Sequence, residues 1–240
     1  VDLWPDFMER LQPLYDGILQ NVTRGHNVAS ALLIRKTCPL QVERFESRSR
    51  VLLAVLKDPR KQEKDSKLYL CSVHLEAGED LDADETRFYQ VQSLFRRLRY
   101  HCQLDGTKLE DAPIVLAGDF NMLRTNLMHC DLSRGELHNP GQMRNKPPIS
   151  TIPLHDAYLE DSTTSSTMPS SPSSNYSGRA SKVQYPTEDR TPKELVKTYA
   201  RGYVLDYVFT SGKVDVQETL LLHPGASRKE AQKWPSREYP

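Results

Sequence analysis

Three short segments of the chain are rich in apolar and β-branched residues, and each carries an ionisable side chain near its end or centre. They are residues 67–75, 113–121 and 203–209. Their length and composition predict strands. A charged group buried in such a run is costly unless it is hydrogen-bonded or paired. We therefore expect each strand to bring its polar residue to a partner.

The segment Pro113–Asn121 ends in Gly118, Asp119, Phe120 and Asn121. In extended backbone, residues two apart project to the same side, so Asp119 and Asn121 are expected to share a face. A carboxylate there could take a proton or hold a hard cation, and an amide could hold an oxyanion. The same residues also suit an ordinary turn, because Asp and Asn bond to nearby backbone and tolerate unusual dihedrals.

The other two strands carry His74 and Asp206. Alternation places His74 on the face of Leu68, Leu70 and Ser72, and Asp206 lies among apolar neighbours. Each has a structural interpretation as well, His74 as a hydrogen-bonded core imidazole and Asp206 as a member of an ion pair. Three such strands in one chain favour a shared site.

The remaining elements follow from hydrophobic periodicity and turn-forming residues. They are an amphipathic helix from Trp4 to Gln20 that ends near Gly17, strands over 28–35 and 40–45 paired around Thr37–Pro39, a strand over 49–56, a charged hairpin loop over 57–67, an acidic loop over 76–85, a helix from about Glu85 to Cys102, and a polar, proline-containing segment over 127–152. The helix that ends at Cys102 has a core-facing stripe of Phe88, Val91, Phe95 and Leu98.

Alternating strands and helices with hairpin-like neighbours predict an α/β (α+β) fold, with two mixed β-sheets packed face to face as a sandwich flanked by helices. Residues 162–189 interrupt this pattern with a stretch rich in serine and proline. Such a stretch cannot bury enough apolar surface to offset its ordering entropy. We expect a disordered surface insertion within a single domain that spans residues 1–240.

In this order the motifs resemble those of the endonuclease/exonuclease/phosphatase superfamily, which has a DNase I-like fold and hydrolyses phosphate esters. Ser72–Leu75 resembles the family's T-H-L strand, Gly118–Asn121 its G-D-F-N strand, and Leu205–Phe209 its I-D-Y-I-F strand. Thr86–Leu94 is similar to the R-x-x-Q-x-x-x-L helix that follows the His strand. The set is most similar to the branch of the carbon-catabolite-repressor-type deadenylases, the Angel proteins, the 2',5'-phosphodiesterases and nocturnin.

The resemblance implies a role for each motif residue. Asp119 would orient or deprotonate the attacking water, Asn121 would hold a phosphate oxygen, and both could ligate the metal. His74 would donate to a non-bridging phosphate oxygen, and Asp206 would bond to the His of the family's closing S-D-H motif. Mg²⁺, or Mn²⁺ in its place, would neutralise the phosphate. The implied activity is that of a 3' exoribonuclease or deadenylase acting on poly(A)-like RNA.

The chain departs from the family pattern at both ends. Val1–Phe7 resembles the segment just after the family's metal-binding Glu, and Trp234–Pro240 resembles the run-up to its S-D-H motif. We therefore expect the domain to be incomplete at both termini and this fragment to be inactive alone, because the Glu ligand and the Asp-His pair would lie outside it.

Two other functions stay open on the sequence alone. One is a phosphoesterase of the same superfamily that acts on a small phosphoester, such as a dinucleotide, an inositol phosphate or sphingomyelin. The other is a non-catalytic interaction scaffold, with the serine- and proline-rich stretch as its docking segment. A Glu just before Val1 and an Asp-His pair just after Pro240 would favour the enzyme.

Composition limits how the protein could meet its substrate. With 32 basic and 32 acidic residues the formal net charge is zero, so no global field attracts nucleic acid or a membrane. RNA would have to bind a local groove. The basic cluster Arg96–Arg99 is one candidate, although on a helix such a cluster is more often a solvated face. Tyr158, Tyr199 and Tyr203 are candidates for stacking on a base, although each also suits core or strand packing.

The cysteines indicate the compartment. Their positions show no paired spacing, which predicts free thiols in a reducing environment and an intracellular, cytoplasmic protein, with the nucleus or a mitochondrion as alternatives. No apolar run approaches the roughly 18 residues that span a bilayer. The four cysteines are Cys38, Cys71, Cys102 and Cys130.

Overall fold

The computed structural model describes residues 3–21, 29–48, 50–62, 66–141, 147–158 and 205–217. Ten strands and three α-helices lie in these ranges. The strands are β1 (Tyr15–Leu19), β2 (Ala31–Arg35), β3 (Gln41–Ser47), β4 (Val51–Lys57), β5 (Lys67–His74), β6 (Ile114–Asp119), β7 (Glu136–Leu137), β8 (Ile149–Ser150), β9 (Leu154–Asp156) and β10 (Asp206–Ser211). The helices are α1 (Trp4–Leu11), α2 (Leu81–Leu104) and α3 (Leu127–Arg134), with a short 3-10 helix at Leu109–Asp111.

Six strands form one mixed sheet in the order β3-β4-β5-β6-β10-β9. Strands β5 and β6 are parallel and are joined by the crossover helix α2, whereas all the other neighbours in this sheet are antiparallel. Within the described ranges, the strands outside this sheet form two two-stranded pairs, β1 with β2 and β7 with β8. The predicted α/β class with mixed pairing is confirmed.

The hydrophobic core lies between the six-stranded sheet and α2. The predicted stripe on α2 is buried, as are alternate residues of β5, so the alternation inferred for the His74 strand is confirmed. The core includes Tyr69, Cys71 and Val73 from β5 and Phe88, Val91, Phe95 and Leu98 from α2. His74 therefore belongs to the opposite face of the sheet from the helix.

The predicted helix from Trp4 to Gln20 is wrong beyond its first half. Helix α1 ends at Leu11, and residues 15–19 form strand β1 instead. Pro13 explains the break, because proline removes a helix donor and disfavours helical backbone before it. Gly17 lies in the strand, where a Cβ atom would lie only 2.6 Å from the Met8 sulfur, so glycine lets α1 pack closely on β1.

The predicted pairing of the next two strands is also wrong. Strand β2 pairs with β1 and β3 pairs with β4, each antiparallel, rather than with each other. The partner of β2 was hidden because residues 15–19 had been assigned to a helix. Pairing depends on which edges are available, and local strand signals do not specify that.

One helix begins earlier than predicted, and another was not predicted at all. Helix α2 begins at Leu81 rather than near Glu85, because the Asp80 side chain accepts a hydrogen bond from the Ala83 N–H at 2.8 Å and caps it. Helix α3 was not predicted within residues 127–152. Its signals were Asn126, which caps the first turn through the Met128 N–H, and Gly135, which ends the helix with φ of 76°.

No disulfide links the four cysteines within the described residues. Among the described residues, no helix combines the length and apolar character needed to cross a membrane. The predicted insertion at 162–189 and the two chain ends lie outside the described residues.

Candidate active site

The structure brings three of the predicted site residues into one row across the sheet. His74 on β5 lies opposite Asp119 on β6, and Asp119 lies opposite Asp206 on β10. Neighbouring strands are about 4.8 Å apart, and residues directly opposite each other project to the same face. The three strands that the sequence singled out are therefore adjacent, and their ionisable side chains lie together at one end of the sheet.

Asn121 joins this row through a turn rather than through extended backbone. Its φ is 49°, in the left-handed region, and its N–H donates to Asp119 Oδ1 at 2.8 Å. Its side-chain Nδ2 donates to the Leu75 carbonyl at 2.9 Å. The expectation of an extended Asp119-Asn121 pair was therefore wrong, and the turn alternative describes the backbone. The turn nevertheless holds Asn121 against the end of β5, because Leu75 directly follows His74.

Gly118 allows β5 and β6 to approach at this point. Its φ is 135°, and a Cβ atom there would lie 2.1 Å from the Val73 carbonyl oxygen. No side chain fits such a space, so only glycine permits the strand pairing that sets His74 beside Asp119.

The carboxyl group of Asp119 lies in an unfavourable environment for its charge. Burial raises its pKa above the ordinary value, and the negative charge of Asp206 raises it further. The hydrogen bond from the Asn121 N–H and the charge of His74 oppose this shift only in part. His74 is half-buried and Asp206 is exposed, so solvent and a ligand can reach this edge.

Two residues of α2 hold the loop that follows His74. Arg87 Nη1 donates to the carbonyls of Glu76 at 2.7 Å and Gly78 at 2.9 Å. The Glu76 N–H donates to Gln90 Oε1 at 2.9 Å. These are the Arg and Gln of the R-x-x-Q-x-x-x-L segment, so that motif fixes the end of the strand that carries His74.

A buried polar network supports the site from the other side, and the sequence analysis missed it. The Tyr207 hydroxyl donates to the Met122 carbonyl at 2.8 Å, just after the Asn121 turn. The Arg124 guanidinium lies 4.9 Å from the centre of the Tyr207 ring, and its Nε donates to Asp156 Oδ2 at 2.8 Å. His129 Nε2 lies 3.2 Å from the same oxygen. No short-range pattern reveals this network, because Arg124 and Asp156 are 32 residues apart.

The basic cluster Arg96–Arg99 does not act as one surface. Leu98 is fully buried in the core, and Arg96 and Arg99 are exposed to solvent. Arg97 turns towards β3, where its Nη2 and Nε bond to Glu46 Oε2 at 2.6 and 2.8 Å. The solvated-face interpretation describes Arg96 and Arg99, whereas Arg97 belongs to the groove described below.

The row carries oxygen donors of the type that a hard divalent cation prefers. Asp119 and Asp206 supply carboxylate oxygens, and Asn121 presents its amide oxygen away from Leu75, because the nitrogen donates to that carbonyl. Mg²⁺ is commonly held by one or two carboxylates together with water and substrate phosphates. The described residues contain no group of three or more His, Cys, Asp or Glu side chains placed to hold a metal ion.

Of the aromatic residues proposed to stack on a base, Tyr158 is half-buried and its N–H donates to Asp156 Oδ1 at 3.0 Å. Tyr199 and Tyr203 lie outside the described residues.

No family model and no curated protein sequence matches the chain. Solved structures do match it. ANGEL2, a 2',3'-cyclic phosphatase in complex with adenosine-2',3'-vanadate, has a TM-score of 0.56 and 15% identity over 88% of this chain and 67% of its own. The human nocturnin catalytic domain with a bound sulfate anion has a TM-score of 0.53 and 14% identity, also over 88% of this chain and 67% of its own.

A zebrafish (D. rerio) TDP2, humanized by 14 mutations, has a TM-score of 0.50 and 12% identity over 88% of this chain and 66% of its own. The chain thus spans about two thirds of the length of each of these three proteins. At such identities the likeness establishes the fold. The chain therefore shares the mixed α/β, DNase I-like fold of these three proteins.

Proposed function

We propose that the protein is a magnesium-dependent phosphodiesterase that shortens adenosine-rich RNA from its 3' end, as a 3' exoribonuclease or deadenylase. The observation that carries the proposal is the row of His74, Asp119 and Asp206 on three adjacent strands. The fold is shared with phosphoesterases, and ANGEL2 binds an adenosine-bearing vanadate in that fold.

The chemistry assigns a distinct task to each residue. Asp119, whose pKa is raised by burial, would orient the attacking water and accept its proton. The water oxygen bonds to phosphorus, the bond from phosphorus to O3' breaks, the leaving oxygen takes up a proton from solvent, and Asp119 releases its proton to solvent. His74 donates to a non-bridging phosphate oxygen as negative charge develops there. One side-chain N–H of Asn121 donates to the Leu75 carbonyl, and the other could donate to a second phosphate oxygen.

Asp119 and the amide oxygen of Asn121 would hold Mg²⁺, which neutralises phosphate charge when bound. Asp206 lies directly opposite Asp119, and its negative charge would also attract the cation. Asp206 is also exposed, so it can accept a hydrogen bond from an imidazole and fix its tautomer.

The test is hydrolysis of an oligoadenylate labelled at its 5' end, in Mg²⁺ and in EDTA. This chain is compared with the longest natural polypeptide that contains it. We expect a ladder of products shortened from the 3' end, only with the metal, and faster than for a matched oligouridylate. Internal cuts, equal rates in EDTA, or no cleavage by either polypeptide would contradict the proposal.

A second candidate is a phosphoesterase that acts on a small phosphoester, such as a terminal 2',3'-cyclic phosphate. It is favoured by the ANGEL2 relative, which is a 2',3'-cyclic phosphatase. An oligonucleotide ending in a 2',3'-cyclic phosphate separates the two activities, because this enzyme would open the cyclic end without shortening the chain. A protein that binds these substrates but changes none of them would be an interaction scaffold.

A further inference from the structure

A groove runs between the β3–β4 hairpin and α2, on the helix side of the sheet. Its helix wall comes from Gln90, Ser93, Leu94 and Arg97, which recur at the spacing of one helical face. The floor is apolar and includes Val51, Leu53 and Leu94. Three guanidinium groups line it, those of Arg48, Arg50 and Arg97, and we call this feature the basic groove.

The lining of the basic groove carries three arginines and one glutamate, and Arg50 is also paired with Glu76 beside it. Glu46 is the acidic residue of its lining, and its two carboxylate oxygens are already engaged. Oε1 accepts from Arg48 Nε at 2.5 Å, and Oε2 accepts from Arg97 at 2.6 and 2.8 Å and lies 3.1 Å from His101 Nε2. Glu46 therefore fixes two of the arginines in place, which reduces the entropy they would lose on binding a ligand.

The arginines keep donors for a ligand. The side chains of Arg48, Arg50 and Arg97 are 56%, 28% and 30% exposed. Arg48 is bonded through Nε alone, so its two terminal amino groups make no hydrogen bond with any residue that the structure describes. Such a planar donor pair matches two oxygens of a phosphate.

The basic groove begins beside the candidate active site. The His74 N–H donates to the Arg50 carbonyl at 3.0 Å, so Arg50 lies next to His74 across the sheet edge. The Arg50 guanidinium reaches Glu76 at 2.7 Å, and Gln90 accepts from the Glu76 N–H. An RNA strand whose reacting phosphate lies at His74 would pass around this end of the sheet, from the face of His74 to the helix side, and its neighbouring phosphates would then enter the groove.

We propose that the basic groove binds the phosphodiester backbone of the RNA strand upstream of the phosphate that reacts. This proposal rests on the proposed function, because it takes RNA as the substrate. The guanidinium groups match phosphate oxygens and the floor is apolar, so the groove would supply mainly sequence-independent affinity.

The test measures binding without cleavage. A fluorescent ten-nucleotide oligoadenylate is titrated with the protein in EDTA, and the dissociation constant is followed against salt concentration. We expect Arg48→Ala and Arg50→Ala each to weaken binding about three- to tenfold, and each to reduce the slope of log K against log salt by about 0.7. Arg60→Ala is the matched control, since Arg60 is also paired with a carboxylate, that of Asp58 at 2.9 Å, and is 68% exposed. It lies just after the far end of β4 and should change neither quantity.

Three results would overturn the assignment. They are equal effects of the Arg48 and Arg60 substitutions, no binding by the unchanged protein, and displacement of the oligonucleotide by an acidic peptide at lower concentration than by unlabelled RNA. Failure of the proposed function would look different. In that case the oligonucleotide would still bind with the expected salt slope, but no Mg²⁺-dependent shortening would be observed.

Discussion

Two aspartates near opposite ends of β5 have opposite electrostatic environments. Asp105 accepts from the Tyr69 hydroxyl at 2.7 Å and is paired with Arg44 and with Lys67, whose Nζ lies 3.6 Å away. Burial alone would raise the pKa of Asp105, but these partners outweigh it and hold the pKa below its usual range. Asp119, at the other end, has its pKa raised by burial and by a second carboxylate.

The difference separates a group that stabilises the fold from the group to which we assign chemistry in the proposed function. The charge of Asp105 is fully compensated, so ionisation stabilises the folded chain. The charge of Asp119 is compensated only in part, which suits a group that must take a proton or attract a cation. One sheet can hold both carboxyl groups because they lie near opposite ends of β5, in separate environments.

Gly118→Ala is expected to have the largest effect on the site end. The new Cβ would meet the Val73 carbonyl, and the backbone has φ of 135°, so we expect a loss of about 3–5 kcal/mol in the free energy of unfolding. The measurement is urea denaturation. Gly106→Ala is the control, since φ is 65° there with open space around it, and should cost about 1 kcal/mol. Equal losses would show that the close approach to Val73 does not matter.

Asp105→Asn tests the compensated end. The amide cannot pair with Arg44 and Lys67, so we expect a loss of about 2–4 kcal/mol. Asp111→Asn, in an exposed pair with Lys213, should cost at most about 0.5 kcal/mol in the same denaturation experiment. Similar values for the two variants would contradict the account of the buried cluster.

The acid dependence of stability should also reflect Asp105. A depressed folded pKa contributes stability that is present above the unfolded value of about 3.9 and is lost as pH falls through the folded pKa. We expect unfolding free energy to fall more steeply below about pH 4 in the unchanged protein than in Asp105→Asn. Parallel curves for the two proteins would mean that Asp105 is not the stabilised carboxylate.

Asp119→Asn should leave stability unchanged or raise it by no more than about 1 kcal/mol, because solvent screens a half-buried charge. Asparagine keeps an oxygen that can accept from the Asn121 N–H, so the turn is preserved. Thermal and urea denaturation give the answer. A loss comparable to that of Asp105→Asn would mean that the two ends are not electrostatically different.

The smallest expected effect is on the titration of Asp119 itself. Asp206→Asn removes a neighbouring negative charge, so the pKa of Asp119 should fall, whereas His74→Gln should raise it. The carboxyl carbon of Asp119, followed by NMR against pH, reports both shifts without any need for activity. An unchanged midpoint in both variants would show that the row is not coupled.

The sequence predicted the parts of the molecule that depend on local pattern. Alternation in β5 located the His74 face, and the apolar run before Gly118 located β6. The resemblance to a known family then placed Asp206 with them, and the register of β10 against β6 agrees with that placement.

What the sequence did not predict depends on contacts between distant residues. The Arg124–Asp156 pair and the Tyr207–Met122 hydrogen bond join segments that no short-range pattern relates. The partner of β2 is not evident from the sequence because residues 4–20 have a helix-like pattern, which Pro13 interrupts before β1. The Asn121 turn was missed because a left-handed residue reverses the direction that a simple two-residue period predicts.

We propose that the row of His74, Asp119 and Asp206 catalyses a metal-dependent hydrolysis in which Asp119 has the main role. The most direct measurement compares Mg²⁺-dependent shortening of an oligoadenylate by the longest natural polypeptide that contains the chain and by its Asp119→Asn variant, with unfolding of both followed in parallel. The account predicts a loss of at least about 10²-fold in rate with no loss of stability. A variant that keeps its rate would contradict the claim.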